Sequence, residues 1–157
     1  MEKVAIFADV QNIYYTVKES YQRHFDYKAF WLKATADRQV EAAFAYAIDK
    51  GDIKQQNFQE ILRIIGFEVK LKPYIRRSDG TAKGDWDVGI TLDVIDYAPK
   101  VDVVVLLSGD GDFDLLLNKI RSTYRVKTEV YGVPALTAPS LIKASDRFIA
   151  IDTDLLL

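Results

Sequence analysis

The chain has no cysteine and a single histidine, His24. Without thiols there are no disulfides and no thiolate metal sites, and nothing calls for an oxidising compartment. One imidazole leaves Ser-His-Asp and Cys-His chemistries almost without material, so catalysis has to run on carboxylates. No stretch of about 18 uninterrupted apolar residues occurs, and the opening MEKVAIFADV lacks the basic start and long apolar run of a signal peptide. Neither secretion nor membrane spanning is expected, and the cytoplasm fits best. A dominant charge is missing too, the formal net being −2. That leaves a nucleic-acid partner open, because binding depends on where the cations sit rather than on their sum.

What the chain does have is apolar residues, 49% of 157, enough for one substantial core and hence a single domain over residues 1–157. Short apolar runs alternate with helical periodicity. The runs are VAIFA (4–8), VEAAFAYAI (40–48), FEVKLKPY (67–74), VDVVVLL (101–107) and RVKTEVYG (125–132). Between them, Tyr27, Phe30, Trp31 and Ala34 fall at i, i+3, i+4, i+7, as do Phe58, Ile61, Leu62 and Ile65, and Phe113, Leu116, Leu117 and Ile120. Further helices are expected around Tyr14, Val17 and Tyr21, and over Val88 to Ile95. Regular alternation of this kind predicts a three-layer α/β/α domain around a parallel, Rossmann-like sheet. The first, second and fourth runs are mostly apolar, as strands covered on both faces should be, whereas FEVKLK and VKTEV alternate and read as edges. The order 3-2-1-4-5 satisfies this, with RFIAID (147–152) offering a short sixth strand. RRSDGTAKGD (76–85) reads as a mobile loop.

In such a sheet ligands bind beyond the carboxyl ends of the strands, where the strand order reverses, here between the first and fourth strands. Asp9 follows VAIFA, and Asp110 follows VVVLLSG with Asp112 two residues on. Asp87, in the first turn of the helix after the loop, is a fourth acid for the same corner. Asp93, six residues further along that helix, would lie roughly 9 Å down the axis and about 120° around it. Crowded carboxylates cost stability unless protons or a cation compensate them. Mg²⁺ or Mn²⁺ is the expected compensation, since these hard ions prefer oxygen ligands and substrate phosphate. The acidic cluster is therefore read as a metal seat for phosphodiester hydrolysis. The glycines flanking Asp110 are read as giving a sharp turn and room for substrate.

Plainer roles compete. Asp112 and Asp9 each suit a helix N-cap. Asn12 and Ser108 read equally as supports of the cluster or as ordinary polar residues, and Tyr14 as a base-stacking face or as packing. Arg76, Arg77 and Lys83 read as phosphate contacts or as a solvated face. A second run, Asn118 to Thr128, carries four cations and no acid. Among other acidic motifs, a calcium loop fails because Leu115 and Arg121 stand where glycine and glutamate are needed. A DxD phosphatase and a Toprim-type enzyme remain weaker rivals.

FADVQN (7–12), KGDWDVGITLDV (83–94), LLSGDGDFDLLL (106–117) and SLIKASDRFIAI (140–151) resemble, in order and spacing, the four motifs of the NYN domain, LabA-like branch, of the PIN-like nuclease superfamily. The resemblance implies a metal-dependent ribonuclease fold of the same strand order. It places Asp9, Asp87, Asp110 and Asp112 as metal-holding and catalytic acids, Asn12 as the polar residue of the first motif, and Asp93 and Asp146 as further acids, Asp146 structural. KGDWDV has one residue more than the usual spacing before the helix acid, which keeps Asp85 as a rival to Asp87. The expected partner is RNA, single-stranded or structured. The alternative is a non-catalytic RNA-binding or regulatory module that retains the fold.

Overall fold

The computed structural model describes residues 1–73, 75–76, 82–83 and 85–157, the two short middle pieces by their backbone. The chain opens with β1 (Glu2–Asp9), α1 (Val10–Tyr21), α2 (Tyr27–Thr35), β2 (Arg38–Asp49), α3 (Ile53–Ile65) and β3 (Glu68–Pro73). It continues through β4 (Ile75–Arg76), β5 (Ala82–Lys83), α4 (Asp87–Tyr97), β6 (Val103–Leu107), α5 (Asp114–Tyr124), β7 (Lys127–Gly132), α6 (Pro139–Ala144) and β8 (Arg147–Ala150). Six strands form one parallel sheet in the order β3-β2-β1-β6-β7-β8, the expected order with the sixth strand added.

Periodicity explains the layers. Val4, Ile6 and Ala8 point to one face of the sheet, where Ile13, Val17, Phe30 and Leu62 of the first three helices cover them. Ala5 and Phe7 point to the other, against Ile90, Val94, Leu116, Leu117 and Ile120 of α4 and α5. Because β1 and β6 are buried on both faces, every residue from Val4 to Asp9 and from Val103 to Leu107 is withdrawn from water.

Two expectations need correction. β7 is not an edge: β8 pairs along it, and the polar residues that made it look like one are buried with partners. Glu129 takes two hydrogen bonds from the Arg38 guanidinium, at 2.9 and 2.7 Å. Thr128 donates its backbone N–H to Asp146 at 2.8 Å. Alternation in a strand thus marked buried ionic and hydrogen-bonded pairs rather than solvent. The segment expected as a mobile loop, 76–85, includes Arg76 of β4 and Ala82–Lys83 of β5, which pair in a two-stranded antiparallel ribbon, while residues 77–81 and 84 lie outside the described residues. Tyr74 and Arg77 lie outside the described residues.

Candidate active site: an acidic corner at the carboxyl ends of the strands

β1 runs straight into α1 with no loop, which fixes Asp9 as the last strand residue. β1 pairs with β6 up to Ala8 and Leu107, so the next residues, Asp9 and Ser108, face each other. The Ser108 hydroxyl donates to Asp9 Oδ2 at 3.0 Å and accepts from the Asp110 backbone N–H at 3.2 Å. One turn into α1, Asn12 Oδ1 accepts from the Gly109 N–H at 2.9 Å. Asn12 and Ser108 therefore clamp the strand end that carries Asp110. Asp9 sits at the N-cap position of α1, yet its side chain makes no capping hydrogen bond. Asp112 is not the cap of its helix either. Asp110 takes that part, its Oδ1 accepting from the Asp112 N–H at 3.0 Å. The capping role foreseen for Asp112 thus falls to Asp110, while Asp9 feels the Asn12 N–H as a cap would.

The flanking glycines have a different reason from the one expected. Neither adopts a positive φ. A Cβ on Gly109 would come within 2.8 Å of the Leu136 carbonyl oxygen, and one on Gly111 within 2.7 Å of the Ala138 Cβ. They are there because the segment after β7 packs against this turn, and Ala138 N–H donates to Gly109 at 3.2 Å.

From the other side, Asp87 is the first residue of α4. Among the described residues, carboxylate oxygens of Asp87, Asp110 and Asp112 lie within 4.8 Å of one another. Asp9 stands beside this trio, the most deeply buried of the four acids. Burial pushes its carboxyl up to about 6, aided by the charges of Asp110 and Asp85 and opposed by the Ser108 hydroxyl and the Asn12 N–H. Asp87 is pushed up to about 7, first by burial, then by the hydrogen bond its protonated form makes to Asp110 and by the charges of Asp110, Asp85 and Asp9. Asp85 is a neighbour rather than a member of the trio: its Oδ1 accepts from the Asp87 N–H at 3.3 Å and its charge raises both acids. The donor set is all carboxylate oxygen, and burial together with neighbouring negative charge raises Asp87 and the adjoining Asp9. These residues fit a hard divalent ion, the kind that oxygen ligands and a concentration of negative charge select.

Asp93 lies elsewhere. Its Oδ2 accepts from the Tyr46 hydroxyl and from Lys70 Nζ, both at 2.7 Å, on the side of α4 turned toward β2 and β3. The 120° offset from Asp87 around the helix carries it away from the trio, so it ties α4 to the sheet. Sequence reasoning passed over this lock and its neighbour Trp86, whose indole N–H donates to the Ala47 carbonyl at 2.9 Å beneath Lys72. Alternation in FEVKLK was the available signal, since it puts Lys70 and Lys72 on one face of β3. Tyr14 is exposed, with Tyr15 edge-on at 5.3 Å and His24 stacked at 6.0 Å. Its ring packs on the surface, not in the core. Of the loop cations, Arg77 lies outside the described residues, and β4 and β5 place only the backbone of Arg76 and Lys83.

The profile of the NYN domain matches residues 3–152. The low amplitude and bright protein LabA of Synechococcus elongatus is 27% identical over 159 residues, an alignment covering 96% of this chain and 84% of that protein. A protein of unknown function from Vibrio parahaemolyticus, solved as a crystal structure, superposes with a TM-score of 0.95 at 59% identity, covering 99% of this chain and 96% of that one. No helix among the described residues is long and apolar enough to cross a membrane.

Proposed function

Because the chain belongs to the NYN domain family, whose fold is PIN-like, we propose that it is a ribonuclease that hydrolyses RNA phosphodiesters with carboxylate-bound Mg²⁺ or Mn²⁺. The observation that carries this reading is the trio of carboxylates from α4 and the β6–α5 turn within 4.8 Å, with Asp9 of β1 beside it. Asp9, Asp87 and Asp110 hold the metal, and Asp112 completes or orients the cluster. A bound divalent ion supplies Lewis-acid stabilisation of phosphoryl oxygens and a more acidic water. The protein's part is placement. Ser108 and Asn12 fix the Asp110 turn against β1, so the acids meet the ion without rearranging.

RNA reaches the corner over two flanks. The loop cations Arg76, Arg77 and Lys83 precede Asp87 and contact phosphates, and Tyr14, exposed on α1, offers a stacking face for an unpaired base. The test is cleavage of single-stranded and structured RNA with Mn²⁺ or Mg²⁺, with chelator, and with Asp110→Asn. Cutting that needs metal and falls by about a hundredfold or more in the variant is the expected result, on the scale of losing one preorganised electrostatic group. RNA binding without cutting would make the chain a binding module. Turnover of small phosphate esters with RNA left intact would make it a phosphomonoesterase.

A further inference from the structure

Two clefts open at the other end of the sheet from the acidic corner. One, of about 440 Å³, is lined by Asn118, Arg121, Ser122, Arg125, Val126 and Lys127, with Asp146 at its wall. The second, of about 520 Å³, shares Arg125, Val126 and Lys127 with it and adds Tyr124, whose ring is exposed. The two adjoin as a trough at Arg125, Val126 and Lys127, which line both. The acids along it are engaged. Asp146 pairs with Arg121 at 2.8 Å and accepts from Thr128, Glu2 pairs with Arg38 at 2.9 Å, and Asp102 accepts from the Lys3 N–H at 2.8 Å. Arg125 and Lys127, and Lys119 on the outer face of α5, make no side-chain hydrogen bond or ion pair among the described residues. Arg125 ends α5 in a left-handed conformation, φ 55°, where glycine is the usual residue. A cation occupies that costly position where the two clefts adjoin.

We propose that this basal trough is a second RNA-binding site, holding the phosphate backbone of a strand whose scissile bond lies in the acidic corner; the proposal rests on the ribonuclease reading above. Unpaired cations beside an exposed aromatic ring are what a single strand uses, backbone on the charges and a base on the ring. α5 sets the distance. It starts two residues after Asp112 and ends at Arg125, and its 11 residues span about 16 Å. A strand of a few nucleotides fills the corner alone, and only a longer one reaches both ends.

The experiment measures binding of single-stranded RNAs of about 4 and about 20 nucleotides, with Ca²⁺ in place of the proposed Mg²⁺ or Mn²⁺ to limit cutting, across a range of salt, for wild type and for Arg125→Gln with Lys127→Gln. Melting curves confirm that the double variant is folded, and Lys119→Gln alone, on the outer face, serves as a second variant at a site that strains nothing. The expected result is weaker binding of the long RNA, with its log–log salt slope flattened by about 1.4 for two lost phosphate contacts, and unchanged binding of the short one. Wild-type binding that the double variant leaves unaltered, or weakens equally for both lengths, overturns the trough and spares the corner. A wild type that binds neither length overturns both.

Discussion

The two ends of the sheet treat charge in opposite ways. Toward the amino-terminal ends of the strands, Arg38 is matched by Glu129 in a fork-to-fork pair, by Glu2 and by the Ala34 carbonyl, and its guanidinium is held charged by these partners. At the carboxyl ends, Asp9, Asp87, Asp110 and Asp112 have one another, with Asp85 adding to the repulsion. The Arg38 cluster at the first end is settled within the chain, whereas the acidic corner gathers like charges that repel. Under the proposed function, a bound divalent ion would offset that imbalance.

Removing one partner at the settled end should have the largest effect. Glu129→Ala strips the Arg38 guanidinium of two hydrogen bonds in a setting where the two side chains are 15% and 10% exposed. The expected loss is about 3 kcal/mol, read by urea unfolding, at the lower end for a broken buried pair because Glu2 remains. The acidic end should respond with the opposite sign. Asp110→Asn keeps the Oδ1 that accepts from Asp112 but removes the charge, so in chelator it should stabilise by about 1 kcal/mol and raise Tm by roughly 2–4 °C. Mn²⁺ should raise the wild-type Tm and leave the variant's nearly unmoved. A variant less stable than wild type in chelator would mean that the acids do not repel.

The stability of the metal-free protein should also depend on pH. Asp9 and Asp87 titrate higher when folded, at about 6 and about 7, than the usual value of 3.8, so between those limits the folded state binds more protons than the unfolded one. Their contribution to stability is therefore greatest at acid pH and declines as pH rises from about 4 to about 7. Asp87→Asn should flatten this decline, measured as ΔG of unfolding against pH in chelator. A stability that rises over that window in wild type and variant alike would contradict the assignment.

How much of this was legible in the letters depends on whether burial or partnership decided the outcome. β1, β2 and β6 were readable because two-sided burial leaves mostly apolar residues, and strand order pointed Asp9, Asp110 and Asp112 to one corner, with Asp87 as a fourth acid. β7 was misread because Thr128 and Glu129 look solvent-facing until Asp146 and Arg38 are placed beside them, and those lie 18 and 91 residues away along the chain. Asp93 illustrates the same limit within the site: only the positions of Tyr46 and Lys70 show that it is spent on holding α4. The flanking glycines of Asp110 were recognised as special, but their cause, the approach of Leu136 and Ala138, belongs to a segment with no mark of it in sequence. Helix α6, only six residues long, is too short to show a period.

The absence of any linker between β1 and α1 gives FADVQN a mechanical meaning. Asp9 and Asn12 ride on a single stiff piece, one touching Ser108 and the other gripping Gly109. One inserted residue at that junction would swing Asn12 by about 100° around the helix and off its hold. The motif therefore behaves as a gauge block, whose length is as much a part of the machinery as the letters in it.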